Sequence, residues 1–376
     1  MQRQPNFENL RRTILRQGPP GPVPFFELFA DPGMVEAVLE EKFPVNLHRY
    51  IEEPVLEIAE DELAGLVKSL DMYVRFCCEV GYDYVFMVTG LSLSRTLMPA
   101  PDTAGVQNWP GGQRYWQDEA SGPIQSWADF EAYPWPKAEN LSHAALEYVN
   151  AVIPEGMKVA AFGFGGVFEN ATWLMGLQPF SYALQDQPDL VEAICQRVGE
   201  LAAAACAQVV AIDNVDMVFL SDDLGFYSGT LVSPNVIRRY VFPHYKKFVE
   251  IAHKAGKLVV YHSCGNMYKL MEELIEDVGI DAKHSFEDKI LPVDEAYRRW
   301  GDRVAVLGGV DMDLIGRGTE EEVRARTRQI LEVCGVKGTG YCLGTGNTAA
   351  NYLPKQNYLA MLDEGRRWNR EHFGTT

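Results

Sequence analysis

Two periodicities alternate along most of this chain. Short apolar runs recur, and most follow a longer stretch in which apolar residues return every three or four positions, the spacing of one helix face. The runs are Pro22–Phe29 (PVPFFELF), Tyr82–Met87, Met157–Phe162, Met217–Leu220, Lys257–Tyr261, Asp281–His284, Arg303–Leu307 and Gly340–Leu343. The helical stretches are Asp61–Val80, His143–Val152, Pro188–Asp213, Pro234–Ala255, Met267–Val278, Val293–Trp300 and Glu320–Cys334. A further helix starts at Asp31-Pro32, where Asp suits the cap and Pro the first turn. Apolar strands separated by helices predict a parallel sheet covered on both faces. Eight such units are what a closed (β/α)8 barrel requires. An open doubly wound sheet is the competing arrangement.

Length alone would suggest two or more domains for 376 residues. The alternation instead predicts a single barrel domain over 1–376, with a helical N-terminal segment at about 1–21 and an insertion at about 99–136. That insertion is rich in Pro, Gly and Trp and lacks clear periodicity. Its Trp109, Trp116, Trp127 and Trp135 fit a cover over an aromatic donor, surface packing, or an oligomer interface such as a homodimer's. A net charge of −18 argues against nucleic acid or an anionic membrane as partner. The longest apolar candidates, Leu201–Val210 and Lys257–Tyr261, are too short to span a bilayer, and no apolar segment of a signal peptide follows Met1. The seven cysteines are odd in number and form no CxxC, so a reduced, cytoplasmic protein is expected.

Candidate chemistry gathers where strands end, which in a barrel is the mouth. His262 and Cys264 lie two apart, so both can face the mouth. Imidazole and thiolate together suit zinc. Cys342, ending the last strand, would supply a second sulfur, and three protein ligands leave an open position for catalysis. Cys77, Cys78, Cys195, Cys206 and Cys334 fall inside helical stretches and read as core. The adjacent Asp222 and Asp223 cannot both face one way: one enters the pocket as base, metal ligand or substrate anchor, the other pairs or caps a turn. Glu27 interrupts an apolar run and needs a partner or a metal if buried. His284 can touch the site or hydrogen-bond to a ligand. Glu287, Asp311 and Asn347 are further candidates for binding substrate or cofactor. Gly163–Gly166, Gly344 and Gly346 can turn backbone N–H groups toward an anionic ligand.

These residues carry a resemblance. LVSPNVIRRYVFPHYKKFVEIAHKAGKLVVYHSCG, GIDAKHSFE, LGGVD and YCLGTGN resemble the uroporphyrinogen decarboxylase superfamily, from about Val23 to the end. The resemblance implies a (β/α)8 TIM barrel of the uroporphyrinogen decarboxylase type. It also implies one of two chemistries. The decarboxylases use no metal and clamp tetrapyrrole acetates with arginines in a segment like MRQAGR. This chain has PVPFFELFADPG there, and Arg11, Arg12 and Arg16 do not make that motif. The other branch holds zinc-dependent methyltransferases of corrinoid systems, with an HxC motif and a distant cysteine. His262, Cys264 and Cys342 match it. Glu27, Asp222 and His284 stay open as further ligands or catalytic groups, and Asp223, Glu287, Asp311 and Asn347 as binding groups. The implied activity moves a methyl group between a small methylated donor or thiol acceptor and a corrinoid (cobalamin) cofactor on a separate partner protein. A methoxy donor would make it an O-demethylase. A non-catalytic barrel that binds a corrinoid or partner protein is the remaining alternative.

Overall fold

The computed structural model describes residues 3–45, 60–88, 93–101, 113–163 and 165–374. In chain order its strands are β1 (Tyr84–Val88), β2 (Leu97–Pro101), β3 (Gln113–Gln117), β4 (Lys158–Phe162), β5 (Val215–Ser221), β6 (Gly225–Phe226), β7 (Gly229–Thr230), β8 (Leu258–His262), β9 (Ala282–His284), β10 (Ala305–Leu307) and β11 (Tyr341–Cys342). Seven of them form one curled parallel sheet in the order β1-β4-β5-β8-β9-β10-β11. Helices run between successive strands, so the architecture is the expected α/β barrel. β2–β3 and β6–β7 are antiparallel hairpins outside it.

The run at Pro22–Phe29 is the eighth stave, though not a regular strand. Phe25 makes a parallel bridge to Leu343, and Ala30 bridges Ala349. Pro22 and Pro24 carry no N–H, so they cannot donate to a ladder. The Pro24 carbonyl still accepts from Leu343 at 2.9 Å. On the other flank the Phe26 ring packs on Tyr84 with centroids 5.7 Å apart. Among the described residues, side chains rather than a backbone ladder close the barrel there.

Alternation along the strands sorts every side chain. Phe26, Leu28, Tyr84, Ala160, Met217, Phe219, Leu258, Val260, Ala282, Ala305, Leu307 and Cys342 form the inner cluster. Their neighbours Phe25, Val85, Val218, Val259, Tyr261, Val306, Tyr341 and Leu343 face the surrounding helices. Phe7, Leu10 and Ile14, on the helix Phe7–Leu15, also join the inner cluster. This N-terminal helix plugs the barrel end where the strands begin. Its apolar side chains stabilise it by roughly 1.5–3 kcal/mol each on burial. The open mouth is therefore at the strand C-termini.

The predicted helices are present at Glu60–Val80, Ala144–Val152, Pro188–Val209, Val293–Trp300 and Glu320–Cys334. Two differ in form. The stretch Pro234–Ala255 breaks into Pro234–Tyr240 and Phe242–Lys254, because Pro243 restricts the residue before it and cannot donate into a continuous helix. The stretch Met267–Val278 starts as a 3-10 turn at Tyr268 and ends as a π turn at Leu274–Val278. No helix among the described residues is long and apolar enough to cross a membrane. All seven cysteines are free.

Candidate functional site

β8 carries Leu258, Val260 and His262 on its inner face, and the next inner position is Cys264. Register places His262 beside Ser221 of β5 and His284 of β9. Asp223 follows β5 on the inner side. Ligand atoms of Asp223, His262 and Cys264 all lie within 4.8 Å of one another. His262 Nε2 is 3.5 Å from Cys264 Sγ and 3.8 Å from Asp223 Oδ1. Asp223 Oδ1 also accepts the Cys264 N–H at 2.7 Å, which pins the loop to the acid. Asn347 reaches the same sulfur with its Nδ2 at 3.3 Å.

The two histidines form a relay whose tautomers follow from its far end. His284 Nε2 faces the Thr345 carbonyl at 3.4 Å, and a carbonyl can only accept. His284 therefore carries its proton on Nε2 and accepts at Nδ1. His262 Nδ1 lies 2.9 Å away and must donate. That leaves His262 Nε2 bare, with its lone pair toward Cys264 and Asp223. Burial, reinforced by the nearby Lys283 charge, pulls His262 down to about 3. Burial first, then His262 and Lys283, hold His284 well below the usual imidazole range. Both rings are neutral at physiological pH, as metal ligation requires. Burial, then Asp223, raises the Cys264 thiol. A bound cation reverses that preference, because a coordinating thiol gives up its proton.

Nitrogen, sulfur and carboxylate oxygen converging on one point are a donor set that fits zinc. Carboxylate, imidazole and amide groups crowd the same place from three other strand ends. Glu287 Oε1 accepts the Gly265 N–H at 3.2 Å. Glu169, in the first turn of the helix Val167–Met175, is raised well above the usual carboxylate range by burial and then by the charges of Asp223 and Asp222.

Several sequence expectations are corrected here. Cys342 does not join the cluster. It is fully buried in the inner apolar layer, and its thiol is raised by burial and then by Asp83, which lies before β1 near the closed end. Glu27 faces outward, as Phe26 and Leu28 on either side face inward. Its carboxyl accepts from Thr345 Oγ1 at 2.6 Å and from the Thr345 N–H at 3.4 Å, so it holds the loop that carries Asn347. Asp222 is wholly buried and turns away from the mouth. It accepts from the Phe168 and Glu169 N–H groups, both at 2.8 Å, and from Tyr245 Oη at 2.5 Å. Burial lifts its carboxyl to about 7, while these three donors pull the other way. Asp311 caps the helix Met312–Arg317, accepting from Asp313 and Leu314, and also takes the Asp288 N–H.

The glycine runs serve internal partners. The anion beside Gly166 is Asp222 itself: a Cβ on Gly166 would meet its carboxyl carbon at 1.9 Å. Gly346 donates to Val310 at 2.7 Å. Of the tryptophans, Trp127 is exposed and Trp135 packs on Tyr133 and Phe130, while Trp109 lies outside the described residues.

Sequence reasoning missed Glu169 and Lys283. Glu169 had one signal, an acid in the first turn of a helix entering beside a strand end. Lys283 had none, since a lone lysine in DAKH reads as surface.

A family model described as Uroporphyrinogen decarboxylase (URO-D) matches residues 119–368. A uroporphyrinogen decarboxylase of Dechloromonas aromatica (strain RCB) is 30% identical over 91 residues, 24% of this chain and 25% of the relative. The chain thus spans about a quarter of that relative's length. A solved methyltransferase from Methanosarcina mazei superposes with a TM-score of 0.65 at 15% identity, covering 96% of this chain and 97% of its own. At that identity the likeness is one of fold, and it extends the barrel comparison over nearly the whole chain. A family match that takes in most of the barrel, from within the insertion to the last helix, places this chain in the uroporphyrinogen decarboxylase family.

Proposed function

We propose that the chain is a zinc-dependent methyltransferase, moving a methyl group between a small methylated donor or thiol acceptor and a corrinoid cofactor on a partner protein. The supporting observation is the bare His262 Nε2 facing Cys264 Sγ and Asp223 Oδ1. These three residues would hold the metal, in place of the expected His262–Cys264–Cys342 set. Zinc supplies Lewis acidity there, stabilising a thiolate or polarising a methoxy oxygen.

The chain's own groups do the rest. His284 fixes the His262 ring and its tautomer, and thereby directs the lone pair. Asn347 holds the Cys264 sulfur through its amide. Glu287 and Asp223 fix the backbone of the Cys264–Gly265 turn. Glu169, whose burial and acidic neighbours favour its protonated form, is placed to hold a proton beside Asp223 at the mouth. A partner carrying the corrinoid must approach over that mouth, since the opposite end is plugged. The same reading keeps the protein in the cytoplasm, where its thiols stay reduced, and leaves a homodimer as its proposed assembly.

Metal-free decarboxylation is the rival. It needs arginines at the mouth for the acetate groups of a tetrapyrrole. Arg11 and Arg12 belong to the helix Phe7–Leu15, and Arg16 caps it, at the closed end. Elemental analysis of the purified chain beside His262→Ala and Cys264→Ser variants tests the proposal. One zinc per chain, lost in both variants together with methyl transfer to a free cobalamin, is the expected result. A metal-free wild type that binds porphyrin tightly overturns it.

A further inference from the structure

The mouth rests on a buried lysine. Lys283 sits on the outer face of β9, back to back with His284, and is 0% exposed. Its Nζ donates to the Ser263 carbonyl at 2.9 Å and to the Ser285 carbonyl at 3.0 Å. Ser263 stands between His262 and Cys264. Ser285 follows His284 and leads into the loop that carries Glu287. The rings of Tyr261 and Phe286 flank the amine at 5.9 and 5.1 Å. Among the described residues no carboxylate lies within ion-pair distance of it.

A buried amine without a carboxylate is an expensive way to fill space, and an apolar side chain would do that better. What the amine adds is two directed donors, reaching two loops that, among the described residues, no other side chain connects at these carbonyls. The Ser263 N–H already donates to the His284 carbonyl at 2.9 Å, and Ser263 Oγ accepts the Leu224 N–H at 3.0 Å. Ser263 is thus held at its N–H and its hydroxyl, and its carbonyl accepts from Lys283 Nζ at 2.9 Å and more distantly from the Ser285 N–H at 3.5 Å. Fixing that peptide fixes the direction in which the next residue, Cys264, leaves the strand.

We propose that Lys283 is a positioning residue of the candidate metal centre, tying the Ser263 and Ser285 carbonyls together so that Cys264 meets His262 at ligating distance. This rests on the reading of His262, Cys264 and Asp223 as metal ligands. Burial also pulls the Lys283 amine down to about 7, and it keeps enough N–H groups for both carbonyls in either charge state.

The test is a Co2+ titration of the metal-stripped full chain, followed by thiolate-to-cobalt and d–d absorption. Lys283→Met keeps the apolar stem and removes the donors. It is expected to weaken Co2+ binding by about 10–100-fold, as loss of a group supporting a ligand does, and to shift the d–d bands. Leu331→Ala, in the core of the helix Glu320–Cys334, serves as the control: it should lower the Tm and leave affinity and bands unchanged. If Lys283→Met does not fold, Lys283→Gln, whose neutral amide sits on a shorter stem and carries two N–H groups, is read the same way. A folded variant that binds Co2+ within about twofold of wild type, with unchanged bands, overturns the inference and leaves the metal reading standing. A wild type that binds no Co2+ overturns both.

Discussion

Cys264 and Cys342 both leave a barrel strand on its inner side, yet one stands at the mouth and the other in the core. Cys264 follows β8, past the last ladder residue, where His262 and Asp223 reach it. Cys342 is still within β11, paired in register with Leu307, and shares its layer with apolar side chains. Face parity treats the two alike. Height does not. Strands of a closed barrel tilt and are staggered by its shear, so a row of register partners is not a level ring. Cys342 shares its apolar cluster with Phe7, Leu10 and Ile14 of the plugging helix, which shows how far down that row has travelled. A ligand set read from strand ends therefore needs both parity and height. The group that comes up from the last strand is Asn347, five residues further along.

The largest separation between the two thiols is expected on substitution. Cys264→Ser removes the soft ligand and should abolish zinc retention. Cys342→Ser should keep full zinc and instead cost roughly 1–3 kcal/mol in denaturant unfolding, because it buries a hydroxyl among apolar groups. Zinc loss from Cys342→Ser with the fold intact would restore the ligand set expected from sequence. A smaller effect belongs to the ring behind the site. His284→Leu leaves His262 Nδ1–H without its acceptor and should weaken zinc binding by about 10–100-fold, read by competition with a chelator. Unchanged affinity would mean that the relay does not orient His262.

What could be read in the sequence was whatever depends on period and parity. The alternation of runs gave the barrel. The two-residue spacing of His262 and Cys264 brought them to one side, and the adjacency of Asp222 and Asp223 required them to part. Asp311 carried a legible cap signal, an acid just before a short helix, that the functional reading overrode. Glu27 carried one too: if Phe26 and Leu28 face in, the acid between them faces out. Cys342 was illegible because shear is a property of the closed sheet. Lys283 and Glu169 were illegible because their partners lie on other strands and loops, and nothing local records which carbonyl or carboxylate will stand opposite.

The outward acid offers the finest test of the inner–outer division. Glu27 is fully buried, and its carboxyl is held by the Thr345 hydroxyl and N–H. Burial pushes its carboxyl from 4.5 up to about 8, against the hydrogen bonds from Thr345. In the unfolded chain the same group ionises near its ordinary value. Between those two pH values the folded state holds the proton and the unfolded state does not. Stability therefore falls as pH rises through the window, by at most about 1.4 kcal/mol per pH unit, and levels off once the folded group has ionised too. Glu27→Gln is neutral throughout and keeps an acceptor for Thr345 Oγ1. Its stability relative to wild type should be nearly level below pH 4.5 and should climb toward pH 8, while zinc affinity at fixed pH stays within a few-fold. Urea unfolding at several pH values reads the first and chelator competition the second. Parallel stability curves would show that Glu27 ionises normally in the fold. A collapse of zinc binding with an unchanged curve would place its carboxyl in the mouth after all.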